Sequence, residues 1–377
     1  MKQKHSLTAK MGPSIGSSIR DWMRLTLSNG SVALKYYPRV FLIDLLSTFG
    51  IPFRVYEKWR FDKIIEQTEL KKPPIFILGH WRSGTTHLHN LMVQDPQFGY
   101  VTMFQAMFPK SFLGNKVFGN FMKIFLPDKR PMDNMRLGLD LAQEEEMALG
   151  NLFPYSFYNG FYFPRKLREF YYKYIRFENV PRKIREKWND VYNSLLRKAT
   201  LNMNGKRLIL KNPANTARIK ILLELYPEAQ FIHIYRNPYI VYMSTKNFYK
   251  KMVQAFTFQN ISDEDLENHI LWIYKRMMES YFEEKKLIPK GNLIEIKFEN
   301  LEAEPLYELE SIYDGLNITG YKNSEQAFLN YLKPLSSYKK NVYDFSQKII
   351  DKVNSYWDFT IEKWKYDIPE LPISNSN

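Results

Sequence analysis

The chain has 377 residues, 45% of them hydrophobic and 16% aromatic, enough to bury one elaborated α/β core or two smaller ones. Lys and Arg number 54 against 40 Asp and Glu, and the net charge of +14 favours polyanions, a multiply phosphorylated small molecule or a membrane face as partners. The absence of cysteine excludes a disulfide framework, a thiol nucleophile and a thiolate metal site, and no zinc-finger spacing or RNP-type string supports nucleic acid.

Met1 to Asp21 are polar and contain no apolar signal core, and residues 1–30 read as a loosely held arm. Residues 31–70 read as amphipathic helix with breaks near Pro38 and Pro52. The longest apolar stretch, Val40 to Phe53, is interrupted by Asp44, Gly50 and Pro52, and a core helix is expected there rather than a membrane-surface one. No window approaches 18 apolar residues without charge, so the sequence predicts no spanning segment and a cytoplasmic protein, with peripheral membrane contact left open.

Lys71-Lys72-Pro73-Pro74 stops the helix and launches a strand, and the unbroken apolar run Ile75 to Leu78 predicts burial on both faces, as in a parallel sheet. A loop from Gly79 to Gly84 follows, and then a helix from Thr85 to Val93. Strand, Gly-rich turn and helix N-terminus together make a phosphate cradle, because unpaired amides and the positive helix end face the anion. The frame matches a P-loop, yet Thr85 and Thr86 stand where a nucleotide triphosphatase needs Lys and Ser or Thr, and the cation lies inside the loop as Arg82. The loop suits phosphate but not ATP with magnesium.

Phe98 to Met103 reads as a second strand. Residues 104–177 form an insertion rich in Phe, Tyr and Met, including Phe104, Phe108, Phe112, Phe118, Phe121, Phe125, Phe153, Phe157, Tyr158 and Phe161. Core packing explains most of these rings, and a pocket for a lipophilic molecule is the functional alternative. Pro181 to Met203 reads as a helix closed by Asn204-Gly205, and Arg207 to Lys211 as a strand. Asn215 or Thr216 then caps a helix reaching Tyr226, and Gln230 to Tyr235 is the next strand. Asn237-Pro238 opens a helix, Ser262 to Asp265 starts a long one, and Leu293 to Phe298 is the last strand. The alternation predicts a three-layer α/β/α fold with a central parallel sheet. It divides into residues 1–70, an arm and helical segment, and 71–377, the α/β domain with its insertion near 104–177.

Ligands of such sheets lie outside the carboxyl ends of the strands. Arg82, Lys211 and Arg236 fall there, and Ser244 follows two turns into the next helix. No strand ends in the Asp that a magnesium site would need, so the cations suit a ligand with several anionic groups and no metal.

Arg-Ser-Gly-Thr-Thr after a strand, followed by strand-Arg-Asn-Pro-x5-Ser, resembles the sulfotransferases that use 3′-phosphoadenosine 5′-phosphosulfate (PAPS). The resemblance runs from about Pro74 to Leu316 and includes Lys297-Phe298-Glu299-Asn300-Leu301. It implies a P-loop-like sulfotransferase fold in which Arg82, Ser83, Gly84, Thr85 and Thr86 hold the 5′-phosphosulfate. Arg236 and Ser244 would hold the 3′-phosphate, and Lys211 would assist sulfuryl transfer, with no metal required. Lys339 and Lys340 are weaker candidates to close over the nucleotide. Negative charge builds on the leaving oxygen during transfer, which fixed cations stabilise, and the acceptor hydroxyl must lose a proton to a base.

The cytosolic branch of that family has a histidine two residues after the lysine, where this chain has Pro213. Helical spacing from Leu141 to Leu152 places Glu144 and Glu145 on an apolar stripe and turns Glu146 away, so Glu144 and Glu145 are the first candidates for the base. His89 is the second. His80 and His87 flank the loop, and Trp81 reads as packing. The expected acceptor is a hydroxyl of a lipophilic small molecule, a sterol-like alcohol first, with a carbohydrate as the alternative. A P-loop kinase or a non-catalytic nucleotide-binding protein are the readings from other classes.

Overall fold

The computed structural model describes residues 16–115, 138–152, 154–337 and 343–371. Phe118, Phe121, Phe125, Phe153, Lys339 and Lys340 lie outside the described residues.

Helix α1, Ile19–Ser28, starts where the Ser18 hydroxyl accepts from the Asp21 amide. Residues 16–30 are therefore no loose arm: Trp22 packs edge-on against Tyr162 and Phe258 in the aromatic core. Helices α2, Tyr37–Phe49, and α3, Ile51–Gln67, each take a proline in the first turn, so Pro38 and Pro52 begin helices as expected. The core-helix expectation for Val40 to Phe53 fails. Within α2 only Ile43 and Ser47 are buried, while Phe41, Leu45 and Phe49 stand exposed.

Strand β1, Ile75–Leu78, leads through the loop into α4, Thr85–Met92. Strand β2 is only Phe98–Gly99, because Thr102 and Gln105 form a capping box that starts α5, Met103–Met107, and cuts short the expected strand to Met103. Helix α6, Glu145–Leu152, a turn at Phe157–Phe161 and α7, Leu167–Tyr171, complete the described insertion. Helix α8, Arg182–Asn202, ends before Asn204 and Gly205, both at positive φ, as the stop signal required. Strand β3, Arg207–Lys211, runs into a tight turn at Pro213–Ala217, and α9, Ile219–Leu225, begins only after it. Asn215 and Thr216 thus sit inside the turn rather than at the helix cap. Then follow β4, Gln230–Tyr235, α10, Pro238–Phe256, α11, Asp263–Glu284, β5, Leu293–Lys297, α12, Phe298–Ala303, α13, Pro305–Gly315, α14, Tyr321–Leu332, and α15, Gln347–Trp364.

The five strands are parallel in the order β2-β3-β1-β4-β5. Alternation along the strands divides the core. Phe76, Leu78, Leu208, Leu210 and Phe231 face α8, α9 and Tyr281, whereas Ile75, Ile77, Ile209, Ile232 and Ile234 face α4, α13 and Phe328. This is the three-layer α/β/α arrangement. A third body of core, rich in rings, joins Phe157, Phe161, Tyr162 and Phe170 of the insertion to α10, α11 and α15. Most of the insertion's described rings are therefore structural. Strand β1 lies between β3 and β4, where the strand order reverses, so its carboxyl end opens into the crevice that such sheets use for ligands.

Candidate active site

Two glycines give the loop after β1 its shape. Gly79 lies at φ +142°, where a Cβ would meet the Ile234 carbonyl oxygen at 2.4 Å, and its amide donates to the Thr216 hydroxyl at 2.8 Å. Gly84, at φ +97°, caps α4, and a Cβ there would come within 2.1 Å of the Phe298 ring. Only glycine accepts both demands without strain. Arg82 between them also takes a positive φ of 72°, a cost of about 1–3 kcal/mol typical of functional loops. The first amides of α4 have no acceptor within the helix, and Gly84, Thr85 and Thr86 carry them.

The anion side of the site gathers around Arg82. Its Nε donates to the Ser244 hydroxyl at 2.9 Å, and Arg236 Nη1 donates to the Arg82 carbonyl at 3.3 Å. The Arg236 guanidinium lies 4.2 Å over the Phe298 ring that fills the space left by Gly84. Burial lowers the Arg236 pKa against the opposing pull of Glu299. The Arg236 Nε is buried without a hydrogen-bond partner among the described residues. Asn237 caps α10 through the amides of Tyr239 and Ile240, and its own amide donates to Glu299. The loop, the Arg-Asn-Pro segment and the Lys-Phe-Glu-Asn-Leu segment are thus one structure, although 60 residues or more separate them in the chain. The set fits a ligand with a phosphate beside Arg236 and Ser244.

The other side gathers around Lys211 at the end of β3. Its side chain is 1% exposed, and Nζ donates to the Thr86 hydroxyl at 3.3 Å and to Glu144 Oε1. Glu144 Oε2 accepts from the Tyr158 hydroxyl, which in turn accepts from Trp81 Nε1 at 3.0 Å. A chain of polar contacts therefore runs Trp81–Tyr158–Glu144–Lys211–Thr86 and closes on the first turn of α4.

The run Glu144-Glu145-Glu146 departs from the helical expectation, because α6 begins only at Glu145. Glu144 precedes the helix and keeps 14% of its side chain exposed. Glu145 is fully buried and accepts from Tyr192 at 3.0 Å and Asn215 at 2.8 Å, and desolvation pushes its pKa up to about 7. Glu146 does not turn away. Burial would raise its pKa, but the buried Arg218 pair at 2.6 Å and bonds from Asn212 and Ser156 override that and lower it. Its Oε1 also accepts from the Phe157 amide at 3.0 Å, which fixes the turn that presents Tyr158.

The histidines take packing positions. His89 is buried and shares a hydrogen bond with the Ile209 carbonyl at 3.2 Å, and burial, helped by Lys211, lowers its pKa to about 3. His80 is equally buried between Trp81 and Tyr274, with its pKa at about 3 for the same reason. His87, partly buried, lies near Tyr331. Trp81 packs against Phe157 and also donates to Tyr158, so it does more than fill space. Tyr158 was hidden in the sequence among many rings, and no spacing singled it out. Among the described residues no group of three or more His, Cys, Asp or Glu is placed to hold a metal ion.

Residues 73–322 match the model of the Sulfotransferase family. The chain is 29% identical over 354 residues to the omega-hydroxy-beta-dihydromenaquinone-9 sulfotransferase Stf3 of Mycobacterium bovis and of Mycobacterium tuberculosis, covering 94% of this chain and 91% of each relative. Its fold is similar to the sulfotransferase STF9 from Mycobacterium avium, with a TM-score of 0.71, 15% identity and coverage of 94% and 92%. It is also similar to STF1 from Mycobacterium tuberculosis, with a TM-score of 0.64, 16% identity and coverage of 89% and 92%.

Proposed function

The chain belongs to the sulfotransferase family, and from that we propose that it moves the sulfuryl group of PAPS to a hydroxyl of a lipophilic small molecule. The observation that carries this reading is Lys211, held between Thr86 of the phosphate loop and Glu144 of the insertion. In the proposed step an acceptor oxygen forms its bond to sulfur while the bond from sulfur to the leaving phosphate oxygen breaks. Lys211 and the first amides of α4 stabilise the charge on that oxygen, and the acceptor proton passes to the carboxylate of Glu144. Arg82, Ser244 and Arg236 bind the nucleotide end, with Ser83, Gly84, Thr85 and Thr86 around the 5′ group. Glu145 and His89 leave the list of candidate bases under this reading, because both are buried and engaged from behind.

The lipophilic acceptor is supported by Met103, Phe104 and Phe108, partly buried rings and thioether that pack against Met107 and Leu139 together with Met147, three residues after Glu144. Gln143 reaches Met103 Sδ at 3.4 Å from the residue just before Glu144. The similarity to a protein named for an omega-hydroxylated menaquinone derivative supports assaying a hydroxylated quinone-type lipid before a sterol. Calorimetry with 3′,5′-adenosine bisphosphate, and with ATP in the presence and absence of magnesium, tests the donor. Binding of the bisphosphate alone is expected, and preference for ATP with magnesium would return the site to a kinase. Labelled sulfate transfer to matched lipid, sterol and sugar panels tests the acceptor, and turnover confined to sugars would overturn the lipophilic assignment.

A further inference from the structure

Helices α2 and α3 carry a surface that the transfer site does not use. Tyr37, Phe41, Leu45 and Phe49 recur four residues apart along α2 and all stand exposed, Phe41 at 68% and Phe49 at 69%. Val55 and Trp59 repeat the spacing on α3, with Trp59 79% exposed. A surface helix ordinarily turns its polar face outward. Here α2 buries Ile43 and Ser47 and offers its rings to the outside. Exposed apolar stripes of this kind mark an interaction site.

The exposed charges around the rings are mainly cationic. From residue 34 to 67 the exposed charged side chains are Lys35, Lys58, Arg60 and Lys63, with Glu66 as the one exposed acid, in the last turn of α3. The other acids of that stretch are withdrawn: Asp44 and Asp62 are partly buried, and Glu57 is buried against Lys198 and the amides of Leu113 and Gly114. A second copy of the chain would bring like charges together. Aromatic anchors flanked by Lys and Arg instead match an interface of apolar chains below anionic headgroups.

We infer that α2 and α3 form the docking surface for an anionic lipid membrane, with Phe41, Phe49 and Trp59 inserted and Lys58, Arg60 and Lys63 at the headgroups. The inner side of α2 ties that surface to the acceptor side of the site, since Leu42 and Leu46 pack against Met107 and Leu139, the pair that Met147 also packs against. Delivery of a lipophilic acceptor from the membrane rests on the proposed function. Docking itself does not.

Flotation of the full chain with vesicles, without donor or acceptor, tests the docking. Vesicles of phosphatidylcholine mixed with phosphatidylglycerol should bind at least about tenfold more tightly than phosphatidylcholine alone, and salt should narrow the gap. The triple variant Phe41→Ser, Phe49→Ser, Trp59→Ser should lose at least about tenfold in binding while keeping its bisphosphate affinity. Should that variant fold poorly, Lys58→Gln, Arg60→Gln, Lys63→Gln should weaken binding to the anionic vesicles alone. Equal binding to both vesicles, or unchanged binding in the variants, overturns the inference. So does a dimer in sedimentation that the triple variant dissolves, since the surface would then belong to a second copy. Failure of the transferase reading would appear in the bisphosphate titration, leaving flotation untouched.

Discussion

The two sides of the candidate site solve opposite electrostatic problems. On the nucleotide side, Arg82 and Arg236 are held through a hydroxyl, a backbone carbonyl and an aromatic ring. These contacts fix where the two guanidinium groups stand, with Glu299 facing Arg236, and under the proposed reading the side receives an anion that arrives from outside. On the acceptor side, Lys211 is already matched by Glu144, and Glu144 is also held by Tyr158. A paired cation attracts less, but it stands at a fixed place and pins the carboxylate beside it. The difference teaches that the first side is built for affinity and the second for geometry, and substitutions should separate the two.

The largest expected effect is on the acceptor side. Lys211→Ala should lower kcat by about 10²–10³-fold, the usual cost of losing one preorganised charge-stabilising group, while bisphosphate affinity falls far less. Because the change also strands Glu144 beside the core, the double variant with Glu144→Gln serves as the stability control. Glu144→Gln alone should cost about 10²–10⁴-fold in kcat with the donor KM little changed, and Tyr158→Phe less, through loosened positioning. Near-normal turnover in both Lys211→Ala and Glu144→Gln would remove the proposed transfer step.

On the nucleotide side the signature should invert. Arg236→Ala should raise the donor KM about ten- to hundredfold through loss of a charge-assisted phosphate contact, with kcat at saturating donor reduced less. Ser244→Ala should act in the same direction and more weakly, since it removes only the hydroxyl that steadies Arg82. If Arg236→Ala instead lowered kcat with KM unchanged, the division of labour between the sides would be wrong.

The arrangement of the proposed nucleotide side was legible in the sequence because its requirements are local. Gly79 and Gly84 are needed where φ is positive and space is short, and Arg236 follows a strand whose end faces the crevice. The acceptor side was only half legible. Pro213, set against the resemblance, sent the search for a base elsewhere, and the acidic run offered candidates, but helical periodicity assigned the wrong inward set because α6 starts one residue after Glu144. The burial of Glu146 depends on Arg218, 72 residues away, which no local period reveals. The exposed rings of α2 were missed for a related reason. Hydrophobicity says that a segment seeks an apolar neighbour, but not whether that neighbour belongs to the same chain.

Glu145 supplies the smallest effect and the sharpest separation of scaffold from site. Its folded pKa of about 7 lies above the ordinary carboxyl value of 4.5, so between those two pH values the native state holds a proton that the unfolded chain has released. Stability from this group is therefore fully present below the lower value and is lost as pH rises through about 7, by up to roughly 3 kcal/mol. Glu145→Gln keeps an oxygen for Tyr192 and Asn215 but cannot ionise. Thermal melts from acid to mildly alkaline pH should accordingly fall less steeply in the variant, with its relative stability best at the alkaline end. The pH dependence of kcat should stay as in the parent chain, because in the proposed step Glu144 and not Glu145 accepts the proton. A kcat profile that changed while the melts did not would exchange the roles of the two carboxylates and, with them, the boundary between the acceptor side and the core that supports it.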